Sequence, residues 1–201
     1  MRIAILANGK SVEAFTRNTY EIPYDKVWGL NQQATWKGIT LDKCFVMDDL
    51  QMRLPYYTGY DFANWLKTYE QPIITSQAYP EWPTSESYPI KDICECFGPA
   101  GMAMYSSPDY MIALAVYEGA TEIDLLGVDL NDPQALLEMQ IGTAQWIGIA
   151  QARGVLVHTG IGSIFQYLTE PGHFIERGMY GYSKRPRVED MIDKDYYKAW
   201  A

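Results

Sequence analysis

The stretch from Tyr105 to Asp129 constrains the fold more than any other part of the chain. Ser107 is placed to cap a helix, Pro108 suits its first position, where a missing N–H costs nothing, and Asp109 complements the positive end of the helix dipole. Gly119 supplies a left-handed stop. The residues between are apolar on nearly every side, and the short apolar run Ile123 to Val128 that follows ends at Gly127 and Asp129. A helix buried nearly all round that leads straight into a short, non-alternating apolar strand belongs to a parallel sheet covered on both faces. Such sheets bind ligands at the carboxyl ends of their strands.

The same order of signals appears twice more. Arg2 to Ala7 reads as a strand, Asn8-Gly9-Lys10-Ser11 as a tight polar turn, and Ser11 as the cap of a helix that starts at Val12 with Glu13 in its first turn. Near the other end, the strand Val155 to Thr159 runs into Gly160-Ile161-Gly162-Ser163 and a short helix to Leu168. Further strands are expected at Lys26 to Leu30, at Leu41 to Met47 and at Pro72 to Thr75, with a helix from Phe62 to Tyr69. Asn131-Asp132-Pro133 should cap a long helix to Arg153, stopped by Gly154, in which Gly142, Ala144, Gly148 and Ala152 let the helix lie close against the sheet. The expectation is an α/β fold: a single doubly wound, mostly parallel, Rossmann-like sheet with helices on both faces over residues 1–168.

Two segments stand apart. Residues 76–102 carry Pro80, Pro83, Pro89 and Pro99 among serines, glycines and aromatics, which predicts an irregular, lid-like excursion. Residues 169–201 hold too few aliphatics for a core and read as a tail, with a small helix from Val188 to Trp200, that wraps the domain or a neighbouring copy in a homo-oligomer.

Composition narrows the partners. A formal charge of −9 over 201 residues disfavours nucleic acid as a ligand, even with Lys184, Arg185 and Arg187 grouped in the tail. No apolar run approaches the ~20 residues of a membrane span and no leader-like segment opens the chain, so a cytoplasmic protein is expected. Cys44, Cys94 and Cys96 read as reduced thiols, since Cys-x-Cys without further ligands does not complete a metal site.

Binding residues are expected where turns meet helix N-termini, because free N–H groups and the dipole favour an anion there. Gly9-Lys10-Ser11 is not a Walker A loop, which needs a glycine where Ala4 stands, nor does the turn hold three fingerprint glycines. It is a single-glycine turn in which Asn8 can donate and accept, Gly9 permits close approach, and Lys10 can face a phosphate; Ser163 occupies the equivalent place in the third turn. Asp48, Asp49 and Asp129 end different strands, so Asp48 and Asp129 are candidates for general-base work or for holding Mg²⁺ with substrate phosphates. His158 is a possible base, and Asp124 has no evident partner.

These pieces resemble a known group. Asn8-Gly9-Lys10-Ser11 is similar to an Asn-Gly-Pro-Ser turn, Trp28-Gly-Leu-Asn31 to a strand ending in Asn, Tyr105-Ser-Ser to a Thr-Ser-Gly turn, and Glu122-Ile-Asp-Leu-Leu-Gly-Val-Asp129 to a Lys-Glu-Ile-Tyr-Leu-Ser-Gly-Ile-Asp strand. They resemble the marks of bacterial CMP-sialic-acid-dependent sialyltransferases, motility-associated flagellin glycosyltransferases and archaeal-type hydroxymethylpterin diphosphokinases, and phage proteins of similar length. The resemblance implies nucleotide contacts at Asn8, Gly9, Ser11, Asn31, Ser106 and Ser107, a nucleotide or nucleotide-sugar ligand, and a small-molecule or glycan acceptor. Lys10 replaces the proline of the first turn, Pro108 the glycine of the third, and Asp48 a strand-end asparagine. Where that family carries its catalytic histidine, between the Gly-x-Asp strand and the final strand, this chain has none. Three functions follow as expectations: nucleotide-sugar-dependent glycosyl transfer, Mg²⁺-dependent diphosphokinase chemistry, or non-catalytic binding of a nucleotide signal.

Overall fold

The structure, a computed structural model, describes residues 1–18, 23–31, 39–48, 62–131 and 136–169. The chain divides into two compact units, Met1–Gln166 and Tyr167–Ala201, and nearly all described residues belong to the first. Its strands are β1 (Arg2–Leu6), β2 (Lys26–Leu30), β3 (Lys43–Val46), β4 (Ile73–Thr75), β5 (Ser85–Ser87), β6 (Glu122–Leu126) and β7 (Leu156–Thr159). Its α-helices are α1 (Glu13–Asn18), α2 (Phe62–Thr68), α3 (Ile90–Phe97), α4 (Ser107–Tyr117) and α5 (Leu137–Ala152), followed by the single turn α6 (Gln166–Thr169).

All seven strands form one parallel sheet in the order β5-β4-β3-β2-β1-β6-β7. The chain therefore builds outward from β1 through β2 to β5, then returns to the other side of β1 with β6 and β7. Alternation along each strand sends its apolar side chains to both faces. Ala4, Leu6, Cys44, Val46 and Ile73 join Phe15 of α1 and Phe62 and Leu66 of α2 in one core, while Ile3, Ile5, Trp28 and Phe45 alternate with them and are fully buried. Met111, Ile112 and Ala115 of α4 and Trp146, Ile147 and Ala150 of α5 are buried as well. This is the doubly wound α/β fold expected, with every strand parallel.

Several expectations need correction. Residues 76–102 are built of regular pieces: β5 is the edge strand, α3 follows directly after Pro89, and a 3-10 turn spans Gly98–Met102. Tyr79, Trp82 and Tyr88 are buried, so the aromatics of this segment pack inward, where a lid would leave them for a ligand. Ser106, one residue earlier than expected, is the N-cap of α4. Helix α5 starts at Leu137, and Asn131 donates from Nδ2 to the Gly162 carbonyl (2.9 Å) rather than capping it. Asp49 and the tail helix expected at Val188 to Trp200 lie outside the described residues. No helix among those described is long and apolar enough to cross a membrane.

Candidate functional site

The strand order reverses at β1, and the crevice there, between the carboxyl ends of β1 and β6, is where sheets of this kind take ligands. A cavity of about 700 Å³ occupies that position. Ala7 to Lys10 from the turn after β1 and Gly127 to Asn131 from the turn after β6 form two of its walls; Leu30, Pro108 and Met139 complete it. Of the predicted residues, the structure brings Asn8, Gly9, Lys10 and Asp129 together there. Leu30, Pro108, Leu130, Asn131 and Met139 were not expected from sequence to line a site, although Pro108 and Asn131 were read there as helix-start residues.

The two turns are bound to each other. Ser11 donates its backbone N–H to Asp129 Oδ2 (2.9 Å) and its hydroxyl to Asp129 Oδ1, and accepts from Gly127 N–H (2.7 Å). Gly9 N–H donates to Gly127 O (2.8 Å). Ser11 therefore does not cap α1: the chain passes through a 3-10 turn at Lys10–Val12 whose N-cap, Gly9, offers no side chain. The helix α1 is only six residues long and the Ser11 N–H already has a partner, so that donor is not open to an anion at this helix start. The role of Gly9 also changes. A Cβ there would stand 2.5 Å from Asp129 Oδ2 and 2.6 Å from Gly127 O, so the glycine is required for the turns to meet, and it lines the cavity as well. Gly127 holds φ at 77°, and a Cβ on it would overlap the Ala7 carbonyl oxygen.

The second expected anion site is filled by the chain itself. Asp109 Oδ2 accepts from Tyr105 N–H (2.8 Å) and Ser106 N–H (2.9 Å), while Oδ1 accepts from the hydroxyls of Ser106 and Thr143 (both 2.7 Å). Burial pushes the Asp109 carboxyl above its ordinary range, and these four donors act against that rise. Ser106 is thereby committed to Asp109, and neither it nor Ser107 lines the cavity. Ser163 is also committed: its hydroxyl donates to Val128 O (3.0 Å) and accepts from Phe165 N–H (3.2 Å). Asp48 is half-buried after β3, with β2 and β1 lying between its strand and β6, and it is not a cavity residue.

Two groups, Lys10 in the cavity wall and Asn31 after the wall residue Leu30, retain unmet capacity. Lys10 is exposed, and its ammonium has no partner among the described residues. Asn31, one residue past Leu30, has a buried Oδ1 with no hydrogen-bond donor among the described residues and sits in the left-handed region at φ 47°, which asparagine tolerates. Leu130 holds φ at 45°, uncommon for a branched residue, and its carbonyl accepts from Gln140 Nε2 (3.0 Å).

The amino end of the sheet is richer in ionisable side chains. Arg2 Nε lies 2.9 Å from Asp124 Oδ2 and 3.2 Å from Glu122 Oε1, with the guanidinium 4.9 Å from the Tyr24 ring centroid. This is the partner of Asp124 that the sequence did not reveal. Burial first, and the Asp124 charge second, push the Tyr24 hydroxyl up to about 12. His158 Nε2 stands 3.2 Å from Glu122 Oε1, in register with Asp124 across the β6–β7 pair. His158 thus belongs to this network, and the cavity walls do not include it. Glu122, Asp124 and His158 are spaced to hold a cation, but Arg2 already contributes positive charge to the same carboxylates.

No sequence-family model matches the chain, and no curated protein matches it in sequence. Its fold does match solved structures of the sialyltransferase CstII from Campylobacter jejuni. The complex with the substrate analogue cytidine-5′-monophosphate aligns at TM-score 0.55 and 17% identity over 85% of this chain and 84% of that one. The complex with CMP-3FNeuAc aligns at TM-score 0.54 and 18% identity over 90% and 87%, and that with a trisaccharide acceptor and CMP at 0.55 and 16% over 85% of each chain. The chain resembles the bacterial sialyltransferases in fold, along nearly the whole length of both.

Proposed function

We propose that the cavity between the β1 and β6 turns binds a nucleotide or nucleotide sugar, and that the protein is a nucleotide-sugar-dependent, glycosyltransferase-like protein. The observation that carries this reading is the position of the cavity at the point where the strand order reverses. Lys10 is the cation available to phosphate, Leu30, Pro108 and Met139 offer apolar surface to a ring, and Asn31 stands one residue past the wall residue Leu30 with its Oδ1 buried. The likeness to structures that hold CMP, or CMP and a trisaccharide acceptor, supports the same class of ligands.

In glycosyl transfer the bond between sugar and phosphate breaks as the acceptor oxygen bonds to the sugar carbon. Lys10 would stabilise the departing phosphate, and a base must take the acceptor proton. That base is the weak part of the transferase reading. Asp129, the one carboxylate lining the cavity among the described residues, has both oxygens engaged by Ser11. This observation favours, as a second reading, a binder that returns its ligand unchanged. A diphosphokinase would need Asp48 and Asp129 to share Mg²⁺, although two strands separate theirs and Asp129 would have to release Ser11.

A thermal-shift screen of nucleotides and nucleotide sugars, followed by analysis of the products, separates the three. A ligand at 100 times its dissociation constant stabilises by about 2.7 kcal/mol. Lys10→Ala should weaken binding about 10- to 30-fold with the melting temperature of the free protein unchanged, as loss of one charge-assisted contact implies. Free nucleotide with a new glycoside indicates transfer, intact ligand indicates the binder, and chelator-sensitive AMP release indicates the diphosphokinase. No shift with any nucleotide at millimolar concentration would refute the proposed site.

A further inference from the structure

The long helix α5 carries a single charge, Glu138, and part of its solvent face is made of large apolar side chains. Trp146, Ile147 and Ala150 are buried against the domain, and Gly142 is needed there, since a Cβ would stand 2.5 Å from Asp109 Oδ2. The outward face carries Leu137, Ile141, Gln145, Gly148, Gln151 and Ala152, all exposed, with Glu138 the helix's one charged residue. A solvent-facing helix of a monomer ordinarily bears charges on that side. The small residues of this face are not explained by the sheet either: around Gly148 no atom lies within 4 Å of where a Cβ would stand.

The apolar surface continues beyond the helix. Trp146 Nε1 donates to Ala103 O (2.8 Å) and the Tyr105 ring lies over Gly142, which fixes the chain entering α4 alongside. Met102 is 75% exposed and Tyr105 54%, and on the helix and its N-cap Leu136 is 63%, Leu137 66% and Ile141 53% exposed. Together these side chains expose on the order of 500 Å², the size of the largest apolar patch on an ordinary monomer and more than half of the ~800 Å² that one side of a standard interface buries.

We infer that this face of α5 is a self-association surface, packing antiparallel against the same helix of a second copy about a two-fold axis. The face is complementary to itself in that arrangement alone. Large residues fill its first half and small ones its second, so antiparallel pairing sets Leu137 against Ala152 and Ile141 into the space over Gly148, in both directions at once. The same register sets Glu138 of each copy opposite Gln151 of the other, while Arg153 stays within its own copy, donating to the Cys96 carbonyl (3.1 Å) with its guanidinium over the Phe97 ring. A parallel pair would set bulk against bulk and like charge against like.

Sedimentation velocity of the full chain from about 1 to 100 μM reads the outcome directly. A concentration-dependent dimer is expected, with Ile141→Glu and Gly148→Glu each weakening it about 100-fold or more, as for residues central to an interface. Leu156→Lys, on the exposed edge strand β7, should leave the dimer intact. Gly148→Ala serves where the charged variants unfold: it should raise the melting temperature of the dilute protomer, because alanine favours the helix and meets nothing, while weakening the dimer. A monomer throughout the range overturns the inference. So does a dimer that survives the α5 substitutions or is broken by Leu156→Lys.

Discussion

The two ends of the sheet use ionisable residues in opposite ways. At the amino end Arg2, Tyr24, Glu122, Asp124 and His158 meet one another across adjacent strands, and Lys26 and Lys43 share Glu118. At the carboxyl end there are fewer charges, but two turns tied together by Ser11, Asp129 and paired glycines hold a cavity open, with Lys10 and Asn31 beside it. The first region satisfies its own charges. The second keeps capacity for a ligand, which is why the site is placed there, even though His158 lies in the first.

The largest effect expected from breaking this contrast is at the tied turns. Gly127→Ala should destabilise by about 3 kcal/mol or more, since it adds strain at positive φ to an overlap with the Ala7 carbonyl that no side-chain motion relieves. Gly9→Val should be at least as damaging and should lose fold and binding together, measured by denaturant unfolding. A Gly9→Val protein of normal stability would show that the turns are not held as described.

Next in size is the buried cap. Asp109→Ala leaves two backbone N–H groups and the Thr143 hydroxyl without their acceptor and should cost about 2–4 kcal/mol. Asp109→Asn keeps an acceptor for the N–H groups while its amide faces hydroxyls able to accept, so its cost should stay below ~1 kcal/mol. Since burial raises the carboxyl's folded pKa, the cost of holding it ionised is present above that value and is relieved as pH falls through it; Asp109→Asn should flatten the corresponding acid limb of the stability curve. Equal loss in both variants would contradict the hydrogen-bond account.

The amino end should respond least. Glu118 is pushed up by burial but held below its ordinary range on balance by Lys43 and Lys26, so its contribution is present above about pH 4.3 and lost as pH falls through the lowered value. Lys26→Met should remove less than ~1 kcal/mol of it. His158→Gln should change stability by under ~0.5 kcal/mol at neutral pH and leave nucleotide affinity unaltered. A tenfold loss of affinity in that variant would move the site to the other end of the sheet.

Much of this was legible because it is local. The apolar runs and their turn residues mark β1, β2, β6 and β7 within a residue or two, and the buried helix before Gly119 signals a parallel sheet. Ser106-Ser-Pro-Asp109 is a capping signature that the sequence does contain, and reading Ser107 as the cap missed it. What failed was long range: nothing near Ser11 announces Asp129, and nothing near Asp124 announces Arg2, since both pairings arise from β1 lying beside β6. The prolines of residues 76–102 hid a three-residue edge strand and a helix whose Ile90, Ile93 and Phe97 follow helical spacing.

The central claim, that a nucleotide occupies the cavity between the β1 and β6 turns, is tested most directly by backbone amide NMR during titration with CMP, UMP, AMP and GMP in turn. At least one should shift Asn8 to Lys10, Leu30, Asn31 and Gly127 to Asn131 in a saturable way, while Arg2, Asp124 and His158 stay still. Saturable shifts confined to Arg2, Glu122, Asp124 and His158, or none for any of the four nucleotides at millimolar concentration, would contradict it.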